Sequence, residues 1–184
     1  MDVLTLLKED HRNVGALLDE ANGCEPDDKR IDSLALQIEK ALTVHAAIEE
    51  KCFYPALHER AEQTDDTVDV FEAYTEHDLI KMLIALLKSG RQPDEQFKAE
   101  LQVLSENVKH HVKEEESTIF SLARHVLDRE ELEELGKEMA AAKERLLRGT
   151  RERSVRKAPS AKKRTNSTKR TTSTKSANGK KQRS

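Results

Sequence analysis

The chain has 184 residues, of which 32 are Lys or Arg and 35 are Asp or Glu, and its formal net charge is −3. The charges are unevenly divided, because residues 148–184 hold 14 basic residues and only Glu152 as an acid. About −16 therefore falls on residues 1–147 and about +13 on the remainder. No run of about 18 apolar residues exists, which excludes a membrane-spanning helix. Aromatic residues make up only 3%, which argues against an all-β sandwich.

This division predicts two parts. Residues 1–147 hold nearly all of the apolar residues and are long enough for one domain with a hydrophobic core. Residues 148–184 cannot bury enough surface to offset the entropy of ordering, so we expect a disordered tail rich in Lys, Arg, Ser and Thr. The N-terminus lacks the pattern of a signal peptide, and two cysteines make no disulfide framework. We therefore expect a cytoplasmic protein.

Apolar residues recur at every third or fourth position of residues 1–147, which is the spacing of amphipathic helices. A first helix begins near the N-terminus and ends near Asn22-Gly23. A second opens at Pro26 and the two aspartates that come after it. Asp65-Asp66 can cap a third helix, which Ser89-Gly90 stops.

A fourth helix begins at Pro93-Asp94-Glu95. A shorter fifth begins at Asp128, where Glu131 completes a capping box. The connections are short, so neighbouring helices should run antiparallel. The sequence thus predicts an all-α protein: an up-down-up-down four-helix bundle with an extra C-terminal helix and a disordered basic tail.

Six polar residues fall on helix stripes that are otherwise apolar. The first and third helices each carry one histidine there, and the second and fourth each carry a histidine with a glutamate four residues later. A buried unpaired carboxylate costs several kcal/mol, so such a core needs a cation or a proton. The six residues are His11, His45, Glu49, His77, His111 and Glu115.

The same residues form an internal repeat. His11 and His77 are 66 residues apart, and the same offset relates the His-x-x-x-Glu pair of the second helix to that of the fourth. Two such helix hairpins would each supply three ligands to a pseudo-symmetric site. The flanking residues repeat too: Asp10-His11 with Glu76-His77, and Glu49-Glu50-x-x-Phe53-Tyr54 with Glu115-Glu116-x-x-Ile119-Phe120.

The spacing suits metal binding. Residues four apart lie on one helix face, so both can reach one ion, or a glutamate can bridge two. Imidazole combined with carboxylate suits iron, manganese or zinc. A single core histidine is usually a hydrogen-bonded structural residue, and His-x-x-x-Glu is a common surface pair. Six such residues at equal offsets favour a metal pair, with open positions where O2, peroxide or NO could bind.

In these residues the chain resembles the hemerythrin-like family, the HHE cation-binding domains, whose pattern is His, His-x-x-x-Glu, His, His-x-x-x-Glu. The resemblance covers about residues 1–147 and includes Phe53-Tyr54-Pro55 and Glu76-His77. It implies a non-heme di-iron centre, with two iron ions per chain, in a four-helix bundle. Ferritin-like proteins would instead show Glu-x-x-His pairs, which this chain lacks at the stripe positions of its predicted helices. The ligands that the resemblance implies are His11, His45, Glu49, His77, His111 and Glu115.

One departure bears on function. Oxygen-carrying hemerythrins have a second histidine four residues before the one on the third helix, where this chain has Ala73. Their fourth helix has Asp five residues after its histidine, where this chain has Glu115 at four and Glu116 at five. Fewer nitrogen ligands argue against simple reversible O2 carriage.

The resemblance therefore implies a protein that binds two metal ions and reacts with or senses a small oxidant such as peroxide, O2 or NO. Catalase-like decomposition of peroxide is one form of this function. The alternative is an iron-binding, sensing or storage module without turnover, which the basic tail places near nucleic acid.

Five further residues have predicted places. Tyr74 and Tyr54 could approach the metals, although a core tyrosine bonded to a backbone carbonyl is the favoured interpretation of each. Cys52 is expected in the core and Cys24 as an exposed free thiol in a loop. His110 lies off the stripe and is expected at the surface or as a donor behind the ligands.

The tail contains basic clusters such as Lys162-Lys163-Arg164, Lys169-Arg170 and Lys180-Lys181. Such a segment neutralises phosphates without reading a sequence. It has no aromatic residues to stack on bases, which argues against selective binding of single strands. We expect non-specific association of residues 148–184 with DNA or RNA. The alternatives are a solubilising tail, one that folds back on the acidic domain, and, more weakly, contact with an anionic membrane.

Overall fold

The computed structural model describes residues 1–61, 63–87 and 93–157. These residues contain helices and no strand, which confirms the predicted all-α class. Two of the long helices are interrupted by a π-helical turn, in which the backbone hydrogen bonds run five residues back. The helices are α1 (Val3–Asn22), α2 (Ile31–Ile48, π turn Glu49–Phe53, Tyr54–His58), α3 (Thr64–Leu87), α4 (Glu95–Glu114, π turn Glu115–Ile119, Phe120–Val126) and α5 (Arg129–Lys157).

Helices α1 to α4 form the predicted four-helix bundle. Each helix packs against the next along the chain, and α4 closes the ring against α1. The C-terminal helix α5 lies outside the ring, across α1 and α2. None of the described helices is both long and apolar enough to cross a membrane.

Side-chain caps fix most of the helix starts. Asp94 accepts a hydrogen bond from the backbone N–H of Phe97 at 2.8 Å, as predicted for α4. At α5, Asp128 and Glu131 accept from each other's backbone N–H at 2.9 Å, which confirms the capping box. The second helix begins later than predicted, because Asp28 accepts from the backbone N–H of Arg30 at 2.9 Å and makes a turn before the helix. The predicted stop at residues 89–90 lies outside the described residues.

The interior consists of two apolar clusters with a polar layer between them. One cluster includes Leu7, Phe53 and Phe120 and receives Met139 from α5. The other lies at the opposite end of the bundle and is formed by residues such as Leu18, Ile38 and Leu104. The six polar stripe residues lie between them in sequence and in space.

The structure corrects the prediction for Cys24. This residue is only 1% exposed and belongs to the second apolar cluster, because the loop after α1 folds over the end of the bundle. Its thiol donates to the carbonyl oxygen of Glu20 at 3.4 Å. Cys52 is buried, as predicted.

Helix α5 runs past the predicted domain boundary. The charge division placed that boundary between residues 147 and 148, whereas α5 continues to Lys157. The first ten residues of the predicted disordered tail are therefore helical. Residues 158–184 lie outside the described residues.

Gly136 allows α5 to pack against the start of α1. A Cβ atom at this position would lie 2.6 Å from the carbonyl oxygen of Met1 and 2.8 Å from the backbone N of Val3. Both contacts are to backbone atoms, which cannot rotate away. The absence of a side chain at residue 136 therefore fixes how closely α5 approaches the bundle.

We expect Gly136→Ala to lower the free energy of unfolding by roughly 1–3 kcal/mol through this overpacking. Gly15→Ala is the matched control, because a Cβ atom at Gly15 would meet nothing within 4 Å. The better helix propensity of alanine should there raise stability by about 0.5–1 kcal/mol. Urea unfolding measures both variants, and a stabilised Gly136→Ala would show that α1 and α5 are not in close contact.

Candidate metal centre

The structure brings all six polar stripe residues together in the layer between the apolar clusters. None of them is more than 6% exposed. The predicted register of α4 is confirmed, since His111 and Glu115 point inward while the side chain of His110 is 63% exposed.

Four of the six side chains form one group of donors. His11 Nε2 lies 3.0 Å from Glu115 Oε2, and His45 Nε2 lies 3.1 Å from Glu49 Oε1. The donor atoms of these four residues all lie within 4.8 Å of one another. Each of the helices α1, α2 and α4 contributes to this group.

The second group shares a residue with the first. It contains Glu49, His77 and His111, again with donor atoms within 4.8 Å of one another. His77 Nε2 lies 3.3 Å from Glu49 Oε2 and 3.1 Å from His111 Nε2. Glu49 thus directs one oxygen to each group, which is the arrangement of a carboxylate that bridges two ions.

The chemistry of this layer fits metal ions. His11 Nε2, His45 Nε2, both oxygens of Glu49 and Glu115 Oε2 are buried and have no hydrogen-bond partner. These atoms converge within a few ångströms of one another, although such polar groups are costly to bury unpaired. Imidazole nitrogens and carboxylate oxygens are ligands for first-row metals such as iron.

The pKa values show the same need for positive charge. Burial raises the pKa of Glu49 well above its usual range, and the charge of Glu115 raises it further. Burial opposes the charged form of His11, but its contacts with Glu115 outweigh this and raise the pKa of His11 to about 9. In turn, His11 lowers the pKa of Glu115 to about 2 against the effect of burial. Both carboxylates can be ionised only when protonated imidazoles or metal ions balance their negative charge.

A second ring of carboxylates lies around the imidazoles, near their outer nitrogens. Nδ1 of His11, His77 and His111 lies 2.8–2.9 Å from an oxygen of a glutamate on another helix, and His45 Nδ1 lies 3.7 Å from an aspartate oxygen. Such partners fix the tautomer and the direction of a metal-binding imidazole. The pairs are His11–Glu116, His77–Glu50, His111–Glu76 and His45–Asp10.

These four carboxylates were not among the predicted site residues. A signal was present, because Asp10 and Glu76 are 66 residues apart, as are Glu50 and Glu116. The outer partners therefore follow the same repeat as the six inner residues. Each lies next to an inner residue in the sequence, so its side chain leaves the helix at a different angle and reaches a different helix.

The two tyrosines have different places. Tyr74 donates to the backbone carbonyl of Glu50 at 3.2 Å, as the favoured interpretation predicted. That carbonyl is available because the residue five positions later, which would donate to it in π-helical spacing, is Pro55, and proline has no N–H. For Tyr54 the favoured interpretation is wrong: its hydroxyl donates to Glu115 Oε1 at 3.1 Å and lies 3.3 Å from His77 Nε2.

The two π turns also follow the repeat, since Glu49–Phe53 and Glu115–Ile119 are 66 residues apart. Each begins at an inner glutamate. The extra residue in each turn advances the buried face by one position, so that Phe53, Tyr54 and Leu57 are fully buried while Ala56 is only half-buried. The sequence signal for this shift was a pair of adjacent large apolar residues in each repeat, Phe53-Tyr54 and Ile119-Phe120. The second residue of each pair lies one position beyond the regular α-helical stripe. Such turns are often found at functional sites.

Comparisons with known proteins give both a fold and a family. A crystal structure of a hemerythrin HHE cation-binding domain-containing protein from Mycobacterium kansasii superposes with a TM-score of 0.73, covering 86% of this chain and 94% of that one, at 24% sequence identity. At that identity the likeness shows the fold.

Two sequence comparisons bear on the family. A protein named DNA nickase, from Nostoc sp., is 32% identical over 146 residues, which is 79% of this chain. The chain spans 40% of the length of that relative. The model of the hemerythrin HHE cation-binding domain matches residues 2–123, which include all six inner residues. This chain therefore belongs to the hemerythrin HHE cation-binding domain family.

Proposed function

We propose that this protein binds two iron ions through the six inner residues and that a small oxidant reacts at or is sensed by that centre. The observation that carries the proposal is the pair of buried donor groups that share Glu49. A shared carboxylate with one oxygen toward each group suits two ions rather than one. The family is a cation-binding one, and imidazole–carboxylate ligand sets suit iron.

Burial of the layer favours a small reactant. The inner side chains are at most 6% exposed, so a polymer or a large substrate would not reach them. A groove of about 460 Å³ between α1 and α4 leads to His11, and its walls include Leu18, Val108 and Val112. A molecule of a few atoms, such as peroxide, O2 or NO, can enter through such a groove.

Tyr54 is the residue best placed to handle a proton there. Burial raises the pKa of its hydroxyl well above the usual range, and the charges of Glu49 and Glu115 act in the same direction. The phenol therefore stays protonated and donates to Glu115, beside His77. The bound iron would supply redox chemistry, while Tyr54 would hold a proton within reach of the reactant.

The alternative is a module that stores or senses iron without turnover. It requires the same ligands, and it differs only in the fate of the oxidant once that molecule has bound. The outer carboxylates favour stable metal binding in either case, since they fix the direction of the imidazoles.

For the basic tail we propose non-specific association with DNA or RNA. The relative named DNA nickase supports a role near DNA, although this chain spans 40% of that protein. Cleavage at the metals is disfavoured, because a phosphodiester would not reach the buried layer. Positive charge is the feature of the tail that acts on a polyanion, and residues 158–184 hold nine basic residues and no acidic one.

The first prediction concerns iron content. The purified protein should retain about two irons per chain, and Glu49→Ala should lose most of the metal because it removes the shared carboxylate. His111→Ala should lose the ion of the second group, whereas the exposed neighbour His110→Ala should retain both. Elemental analysis with the near-ultraviolet spectrum measures this. Retention of two irons in both Glu49→Ala and His111→Ala would contradict the proposed ligands.

The second prediction separates turnover from binding alone. Iron-loaded protein mixed with excess hydrogen peroxide should release O2 over many turnovers, as two peroxides yield two waters and one O2. Zinc-loaded protein should release none, because zinc has no redox chemistry. An oxygen electrode monitors the reaction. Peroxide consumption that stops after about one equivalent per metal pair would favour the sensing or storage module.

The third prediction concerns the tail. The full chain should bind duplex DNA without sequence preference and lose affinity steeply with salt, whereas a chain that ends at Lys157 should lose most of this binding. That truncation retains all of α5 and every proposed ligand, so its iron content should not change. Gel-shift titrations at low and physiological salt compare the two chains. Equal binding by both, or none by the full chain at low salt, would mean that the tail has another partner.

A further inference from the structure

The repeat is broken at one of the outer carboxylates. Asp10 occupies the position that Glu76 occupies in the second half of the chain. Glu76 Oε2 lies 2.8 Å from His111 Nδ1, a full hydrogen bond. Asp10 Oδ2 lies 3.7 Å from His45 Nδ1, which is beyond hydrogen-bond length. The side chain of aspartate is one methylene shorter, and in the direction that it takes here it stops short of the imidazole.

Lys143 of α5 accounts for the direction of the Asp10 side chain. Its Nζ contacts Asp10 Oδ1, and the lysine side chain is 27% exposed. The other oxygen of Asp10 and Nδ1 of His45 are both buried without a hydrogen-bond partner. The lysine thus binds the carboxylate that would otherwise serve the imidazole.

The lysines near the other outer carboxylates do not act in this way. Lys81 approaches Glu50, and Lys8 approaches Glu116, but both glutamates already lie 2.9 Å from their histidines. These two lysine side chains are also more exposed, at 48% and 42%. Lys143 also lies beyond residues 2–123, the part that matches the family model.

We propose that Lys143 is a positioning residue that leaves His45 without the outer hydrogen bond its three counterparts have. The inference rests on the proposed metal ligands. A metal-binding imidazole that lacks this partner is less firmly oriented and less basic. The ion held by the group that contains His11 and His45 should therefore leave the protein faster than the ion held with His77 and His111. The C-terminal helix would thus make the two ions leave the protein at different rates.

Two variants test this from opposite sides of the gap. Lys143→Met releases Asp10, and Asp10→Glu supplies the missing methylene as in the second half of the repeat. Lys137→Met is the matched control, because Lys137 is an exposed lysine of the same helix that pairs with Glu134. Zinc-loaded protein is mixed with excess chelator and metal release is recorded over time. Wild type and control should show a fast and a slow phase, and both test variants should slow the fast phase roughly tenfold.

Nuclear magnetic resonance of the zinc-loaded protein gives a second, direct readout. The Nδ1 proton of His45 should exchange with water faster than those of the other three imidazoles, and both variants should slow this exchange. An unchanged or faster metal release in Lys143→Met, with an unfolding midpoint like that of wild type, would overturn the role of Lys143 while leaving the metal site intact. Wild type that retains no metal would overturn the proposed function and this inference together.

Discussion

Two carboxylates, Glu49 and Glu115, are buried at the centre of the bundle, and the rest of the structure is arranged around their charge. An isolated ionised carboxylate in an apolar interior costs several kcal/mol or more, and two of them repel each other. Four imidazoles surround the pair, and a second ring of carboxylates forms hydrogen bonds to three of those imidazoles in turn. The apolar clusters on either side keep water out and supply the burial that offsets the cost of the polar layer.

Much of this could be predicted from the sequence, because the inner residues occupy stripe positions that periodicity identifies. A histidine at position 111 that continues the spacing of Leu104 and Val108 must share their face, and the structure places it there. Capping residues predicted the starts of α4 and α5 for a similar reason, since the cap is local chemistry. The family resemblance, stated from the same six residues, is also confirmed.

The features that could not be predicted depend on contacts between distant segments or on local departures from regular α-helical backbone. The burial of Cys24 results from how a loop folds over the end of the bundle, and no local pattern encodes that. A backbone partner was the favoured interpretation of Tyr54 because core tyrosines commonly bond to a backbone carbonyl. The π turn that begins at Glu49 rotates the residues after it, and this rotation turns Tyr54 toward the centre. The start of α2 was predicted at Pro26, but the helix begins at Ile31 because a turn at Asp28 comes before it.

The repeat gives the two halves of the site the same inner residues, so any difference between the two proposed metal positions must come from residues where the repeat is not kept. Tyr54 has Phe120 as its counterpart, and only the tyrosine can donate to a glutamate. Asp10 has Glu76 as its counterpart, and only the aspartate falls short of its histidine. The first difference places a phenol hydroxyl beside His77, and the second leaves His45 without a hydrogen-bonded outer carboxylate. If the proposed ligands bind two ions, a chain with perfect internal symmetry would hold them equivalently, whereas these substitutions would give one side a proton donor and the other easier metal exchange.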